Sequence, residues 1–229
     1  MIDITHLSTQ FDQDLENLRS NVLEMGGLVE AQLNSATKAY TQNNNEAVLD
    51  VLENDHEVNE FEKKIDDDCI HIIAKRQPTA GDLRLVMSIS KMVTDLERTG
   101  DEIKKMAKSI RRMQDRDVSV LKAPTDVKHL ADAASSQLRS ALDTFARLDT
   151  TEAREIIEAD LSLDSEFKAI VRQLITFMME DPRSISTALD VITIARCIER
   201  VGDHAKNIAE QVIYIVEGRD VRHTNDEAS

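Results

Sequence analysis

Two stretches of the chain, LERTGDEIKKMA (Leu96–Ala107) and IERVGDHAKNIA (Ile198–Ala209), carry Glu, Arg, Gly, Asp, Lys and Ala at matching positions. The likeness extends beyond them. QLNSATKAY from Gln32 aligns with QLRSALDTF from Gln137 at an offset of 105, which places Glu53 and Asp55 on Glu158 and Asp160, and Asn59 on Asp164. After the proline turns the offset falls to 102. Glu97, Arg98, Gly100, Asp101, Lys104 and Ala107 then fall on Glu199, Arg200, Gly202, Asp203, Lys206 and Ala209. A chain that repeats itself in this way is built from two copies of one structural unit.

The unit is helical. Only three prolines and six glycines interrupt 229 residues, and apolar residues recur at spacings of three and four rather than two. The first stripe, from Phe11 through Leu15, Leu18, Val22, Met25, Val29, Leu33 and Ala36 to Tyr40, is too long to stand alone and stops at the run Asn43–Asn45. A second helix is predicted over about 46–77, ending at Pro78. A third runs from a Thr79/Asp82 capping box to about Arg116, and a fourth spans about 126–148. Thr150 or Thr151 caps a fifth, while Asp181 and Pro182 open a sixth that closes near Gly218. The aperiodic DVSVLKAPTD separates the copies. The expected fold is all-α, with tandem three-helix bundles over 1–118 and 119–218 and a mobile polar tail over 219–229.

The net charge of -15 argues against a nucleic-acid partner, because phosphate-backbone binding needs excess Lys and Arg. With no Trp and 3% aromatics the chain also lacks base-stacking platforms. No run approaches the ~20 apolar residues of a membrane span, and the acidic start MIDITHLSTQFDQDLE has neither region of a signal peptide, so a cytoplasmic protein is expected. Cys69 and Cys197 have no CxxC spacing and read as buried thiols. Without a nucleophilic triad or a phosphate-cradling glycine loop, an enzyme is disfavoured.

The repeated acids are the candidate site. If the second and third helices form an antiparallel hairpin about Pro78, residues equally far from the turn oppose each other: Asn59 with Glu97, and Asp55 with Asp101. The second copy likewise opposes Asp164 to Glu199 and Asp160 to Asp203. Packed helix axes lie about 8–10 Å apart, so these side chains can converge. Two like charges ~4 Å apart repel by roughly 4 kcal/mol at an effective dielectric near 20, so a cation or shared protons are expected. Arg98 and Arg200, about 100° around the helix from their neighbouring glutamates, suit exterior pairs instead. Oxygen donors favour Mg, Ca, Mn or iron over structural zinc.

Three competing readings stand beside this one. The acids can line a solvated face and bind nothing, leaving a metal-free helical scaffold. Glu53 and His56 form one ExxH of the kind used twice in ferritin-like di-metal oxidases, but no second ExxH is present. His204 is an outer ligand beside Asp203 or a surface histidine. Gly100, Gly202 and the Gly26–Gly27 pair read as close packing, with a kink as the alternative at the last.

Over nearly the whole chain, GGLVEAQL, AKRQPTAGDLRLVM, DLERTGDE, VRQLITFMMEDPR and CIERVGDHAKNIAE resemble the PhoU family of bacterial phosphate-uptake and phosphate-regulon regulators. The resemblance implies two tandem three-helix bundles in a cytoplasmic, often dimeric protein without catalytic turnover. It implies negative regulation that couples the phosphate ABC transporter, through its ATPase PstB, to the sensor kinase PhoR. Some relatives bind multinuclear metal clusters through paired E(D)xxxD motifs, which Glu97 with Asp101, Glu199 with Asp203, and Asp160 with Asp164 match. Asp55 with Asn59 departs from the pattern, and its neutral amide oxygen implies weaker metal binding in the first copy.

Overall fold

The structure is a computed structural model that describes residues 4–116 and 125–222, with side chains from Thr9 in the first segment and Asp126 in the second. Six α-helices run α1 (Ile4–Gln42), α2 (Asn45–Arg76), α3 (Ala80–Gln114), α4 (Thr125–Arg147), α5 (Thr150–Glu180) and α6 (Ile185–Glu217), with a 3-10 turn, Pro182–Ser184, before the last. Helices α1 to α3 form one bundle and α4 to α6 the other, as the tandem repeat requires. The boundary expected at 118/119 lies outside the described residues. So does the expected tail from residue 223 onward, although Val221 at its start packs partly buried against the core. No helix among the described residues is long and apolar enough to cross a membrane.

The chain breaks follow local chemistry, with three shifts from expectation. Asn44 caps α2 by accepting from Glu46 N and Ala47 N. Helix α5 is capped by Asp149, whose Oδ1 accepts from Thr151 N at 2.9 Å and Glu152 N at 3.2 Å, because a charged acceptor one residue earlier outcompetes the threonine hydroxyls. Thr79 makes no capping bond to the main chain and instead donates to Asp82 Oδ2 at 3.1 Å. Asp181 caps the 3-10 turn rather than α6, accepting from Arg183 N.

The core is one continuous apolar cluster that runs through both bundles. Its stripes are those read from the sequence: Leu18, Val22, Met25, Val29, Leu33 and Ala36 of α1 are all at most 1% exposed. The two copies meet mainly along α3 and α6, with α1 against α4 beside them. At the second contact Gly26 lies against the buried Leu142 side chain, so this glycine marks close packing, while nothing stands near Gly27.

Polar side chains fasten the α3–α6 seam. Asp95 Oδ1 lies 2.9 Å from His204 Nδ1 and accepts from Asn207 Nδ2 at 2.9 Å. Asp190 of α6 takes Arg112 Nε of α3 at 3.1 Å and, just past the end of α3, Arg116 Nη1 at 2.7 Å. His204 is therefore a buried link between the bundles rather than a surface histidine. Cys197 also lies on this seam, where burial and the Glu102 carboxylate push its thiol up to about 12. Both Cys69 and Cys197 are buried free thiols.

Gly100 and Gly202 serve helix packing within each bundle, with different room. A Cβ on Gly100 would meet Val58 Cγ1 at 3.5 Å, ordinary contact, whereas on Gly202 it would meet Leu163 Cδ2 at 3.1 Å and Gln137 Oε1 at 3.3 Å. Gly100→Ala is expected to gain about 1 kcal/mol from helix propensity. Gly202→Ala should lose that gain to crowding and come out neutral or destabilised by about 1 kcal/mol. Thermal unfolding of the two variants checks the difference; equal midpoints would show that the second site has slack.

Candidate functional site: an acidic groove in each hairpin

Each hairpin carries a stripe of facing side chains along its outer groove. On α2 the residues Asp66, Glu62, Asn59 and Asp55 step by fours and threes, and on α3 Ser90, Thr94, Glu97, Asp101 and Lys104 do the same, so each set lies on one helix face. Two bonds fix their register. Ser90 Oγ donates to Asp66 Oδ1 at 2.8 Å, and Lys104 Nζ donates to Asp55 Oδ2 at 2.5 Å. The second hairpin repeats the lower bond, with Lys206 Nζ 3.1 Å from Asp160 Oδ2.

The electrostatics show which acids meet. Burial raises the Glu199 carboxyl above its ordinary value, and the charges of Asp203 and Asp164 add to this against Arg196 and Arg200. Asp203 is open to water on one side, yet the protein around it, followed by the charge of Asp160, also holds it high. Asp160, Asp164, Glu199 and Asp203 thus form one interacting set, as the turn counting predicted. In the first copy burial again raises Glu97, with Asp101, Glu62 and Asp55 contributing, in that order. Glu62, itself raised by burial and by Asp66 and Asp101, is a member that sequence reasoning missed. Its equivalent 105 residues on is Phe167, so the duplication could not flag it. Its position one turn beyond Asn59 on the same stripe could have.

Positive charge comes from the protein itself. The hydrogen bond that Lys104 donates to Asp55 raises its ammonium, and although burial works against the Lys206 ammonium, its bond to Asp160 and that acid's charge hold it high. Each lysine supplies a counter-charge to one acid of its set, and their signal was present in the repeat, three residues past Asp101 and Asp203. Arg200 pairs across the α3–α6 seam rather than on the exterior as expected, 3.6 Å from Oε1 of the mostly buried Glu102. Asp164 pairs locally with Lys168 Nζ at 2.6 Å.

The donor chemistry suits a hard cation better in the second copy than in the first, where Asn59 brings no charge. Glu199 Oε1 reaches Arg196 Nη1 at 3.4 Å, while Oε2 is buried with no hydrogen-bond partner. As arranged, however, no three His, Cys, Asp or Glu side chains among the described residues are gathered to hold one ion. Glu53 and His56 are both exposed, with His56 Nδ1 2.6 Å from the Glu53 carbonyl.

A pH test follows from the raised carboxyls. Because Glu199 and Asp203 hold protons more tightly folded than unfolded, their share of stability is full below the ordinary values of 4.5 and 3.8 and is lost as pH rises through the raised ones. Glu199→Gln is therefore expected to stabilise the protein by about 1 kcal/mol at pH 7, in the range of relieved charge repulsion. The gain should vanish as pH falls toward 4.5. Urea unfolding at both pH values checks this, and a gain independent of pH would refute the charge explanation.

Comparison with known proteins places these hairpins in context. The sequence profile described as "PhoU domain" matches twice, at residues 22–110 and 127–212. The chain is 47% identical over 218 residues to the phosphate-specific transport system accessory protein PhoU homolog of Pseudomonas putida, covering 95% of this chain and 85% of the relative. It is 43% identical to the phosphate-specific transport system accessory protein PhoU of Escherichia coli (strain K12), covering 95% and 90%. Among solved structures, PhoU from Pseudomonas aeruginosa superposes with a TM-score of 0.88 at 44% identity, over 91% of this chain and 100% of that one. The phosphate transport system regulatory protein PhoU from Streptococcus pneumoniae does so with 0.85 at 27% identity, over 92% and 99%.

Proposed function

Because this chain belongs to the PhoU family, we propose that it is a non-enzymatic accessory regulator of phosphate transport. It restrains phosphate uptake and phosphate-responsive gene expression through protein contacts. The observation that carries this reading is that the likeness runs through both copies and the seam between them, and the relatives are named for accessory and regulatory roles in phosphate transport. In the finer form of the proposal, it is a cytoplasmic dimer that links the transporter ATPase PstB to the sensor kinase PhoR. Deleting the gene should derepress phosphate-responsive genes in phosphate-rich cells with the transporter intact. Unchanged expression in both rich and starved cells would sink the proposal.

The acids divide this proposal in two. Asp160, Asp164, Glu199 and Asp203 are the stronger candidates to hold a divalent cation or iron, with Asp55, Asn59, Glu97 and Asp101 the weaker set. A bound ion would supply the charge neutralisation that Lys206 and Lys104 give in its absence. Those lysines favour the alternative, a protein that works metal-free through its helical surfaces. Elemental analysis of chelator-free protein beside Glu199→Ala/Asp203→Ala separates the two. Metal lost in the variant supports the first, and none in either sample, even after reconstitution, supports the second.

A further inference from the structure

Above its acids, the second hairpin groove continues as an apolar surface. On α5 the acidic stripe runs on from Asp164 through Phe167 and Val171 to Ile175 and Met179. On α6 it runs back from Glu199 through Arg196 and Ile192 to Leu189 and Ile185, again by threes and fours. At the open end Ile175, Met179, Ile185 and Leu189 are 45%, 80%, 41% and 53% exposed. Further in, Val171 and Ile192 are half-buried, and the Arg196 guanidinium lies 4.5 Å over the Phe167 ring. The floor then turns acidic at Glu199, 9% exposed and with Oε2 buried and unpartnered. Exposed apolar side chains in one stripe that ends on carboxylates are a surface with a direction: one end offers contact area, the other negative charge.

We propose that this α5–α6 groove docks a cationic amphipathic helix of another protein. Its apolar face would lie on Ile175, Met179, Ile185 and Leu189, and its Lys or Arg residues would reach Asp164 and the exposed Asp203. Charge complementarity selects this occupant. Asp160 and Glu199 Oε1 keep partners of their own in Lys206 and Arg196, but at the inner end of the stripe Asp203 is exposed, Asp164 is held only by a surface pair with Lys168, Glu199 Oε2 has no donor, and the whole chain carries -15. From Met179 to Asp164 the stripe spans about 22 Å at 1.5 Å per residue, the length of a helix of about four turns. The first hairpin keeps exposed equivalents in Ile70, Leu83 and Met87, but its stripe is cut by the Asp66–Ser90 bond and by Glu62. The docking function therefore belongs to the second copy.

The proposal rests on the regulatory reading only in supposing that the groove meets another protein. The probe is a fluorescein-labelled helical 14-mer of Leu and Lys, read by anisotropy, with a Leu and Glu peptide of the same pattern as control. The cationic peptide should bind at least tenfold more tightly than the acidic one. Ile175→Gln/Leu189→Gln, at exposed positions that leave the core intact, should weaken it tenfold or more. Glu199→Gln/Asp203→Asn should weaken it several-fold and flatten its salt dependence, while Ile70→Gln/Met87→Gln should change it less than twofold. Equal binding of both peptides, or equal losses from the two hairpins, would overturn the proposal. So would sedimentation showing that Ile175→Gln/Leu189→Gln dissociates an oligomer, since the groove would then be covered by a second copy of this chain. Phosphate-responsive expression in cells lacking the gene tests the regulatory reading separately, so either can fail alone.

Discussion

Replacing Asp95 by alanine is expected to lower the free energy of unfolding by about 3–5 kcal/mol, the range for losing two hydrogen bonds to one buried carboxylate. One carboxylate oxygen receives both His204 and Asn207 from α6, and both Asp95 and His204 are buried. Its removal leaves two polar groups of the other bundle without their partner, each hydrogen bond to a charged group being worth about 1.5–3 kcal/mol. Asp95→Asn keeps an acceptor oxygen while losing the charge, and should recover roughly half of the loss. Denaturant unfolding of the two variants is the measurement. A loss below about 1 kcal/mol for the alanine would mean that water replaces the seam and that the bundles are held together by apolar contact alone.

Lys206→Met is the second large effect. It strips Asp160, 7% exposed, of its ammonium while the charge of Asp203 remains beside it. The Lys206 side chain is itself 29% exposed, which places the expected loss near 3 kcal/mol, the lower end for a broken buried pair. Asp160→Asn in the same chain should restore most of it, with a coupling of about 1–3 kcal/mol in the double-mutant cycle. The outcome also bears on metal. If excess divalent cation restores the stability of Lys206→Met, the four carboxylates can take an ion where the lysine stood; if it does not, the lysine is their working counter-charge.

Much of this architecture was legible in the residues before any coordinates. Apolar spacing places all six helices, because nothing but a helix buries Leu18, Val22, Met25, Val29 and Leu33 together. Counting outward from the turns pairs Glu199 with Asp164 and Asp203 with Asp160, because an antiparallel hairpin fixes that register. The failures have physical causes. Arg98 and Arg200 were weighed as counter-ions and set aside, but the lysines one turn past Asp101 and Asp203, whose length and position reach Asp55 and Asp160, were not weighed in their place. Glu62 has no charged equivalent, so the repeat was silent about it. His204 was misread because counting within one hairpin says nothing about contacts between two, and its partner Asp95 lies in the other bundle. The length and apolar lining of the second groove were visible only once Phe167, Ile175 and Leu189 could be set on a common face.

The α3–α6 seam carries a record of descent. Asp95 and Cys197 stand 102 positions apart, as do Glu102 and His204, so the Asp95–His204 and Cys197–Glu102 pairs occupy mirrored places in the two copies. In a dimer of separate, identical three-helix chains, any substitution at such a seam would appear twice, and an acid introduced at one end would face an acid's neighbours at the other as well. Fusion into one chain removes that constraint. One end could settle on carboxylate and imidazole and the other on thiol and carboxylate, each chosen without its twin. The same freedom extends to the hairpins, where Glu62 and Phe167 have parted company, so that a molecule with an ancestry of two equal halves presents the cell with two unequal ones.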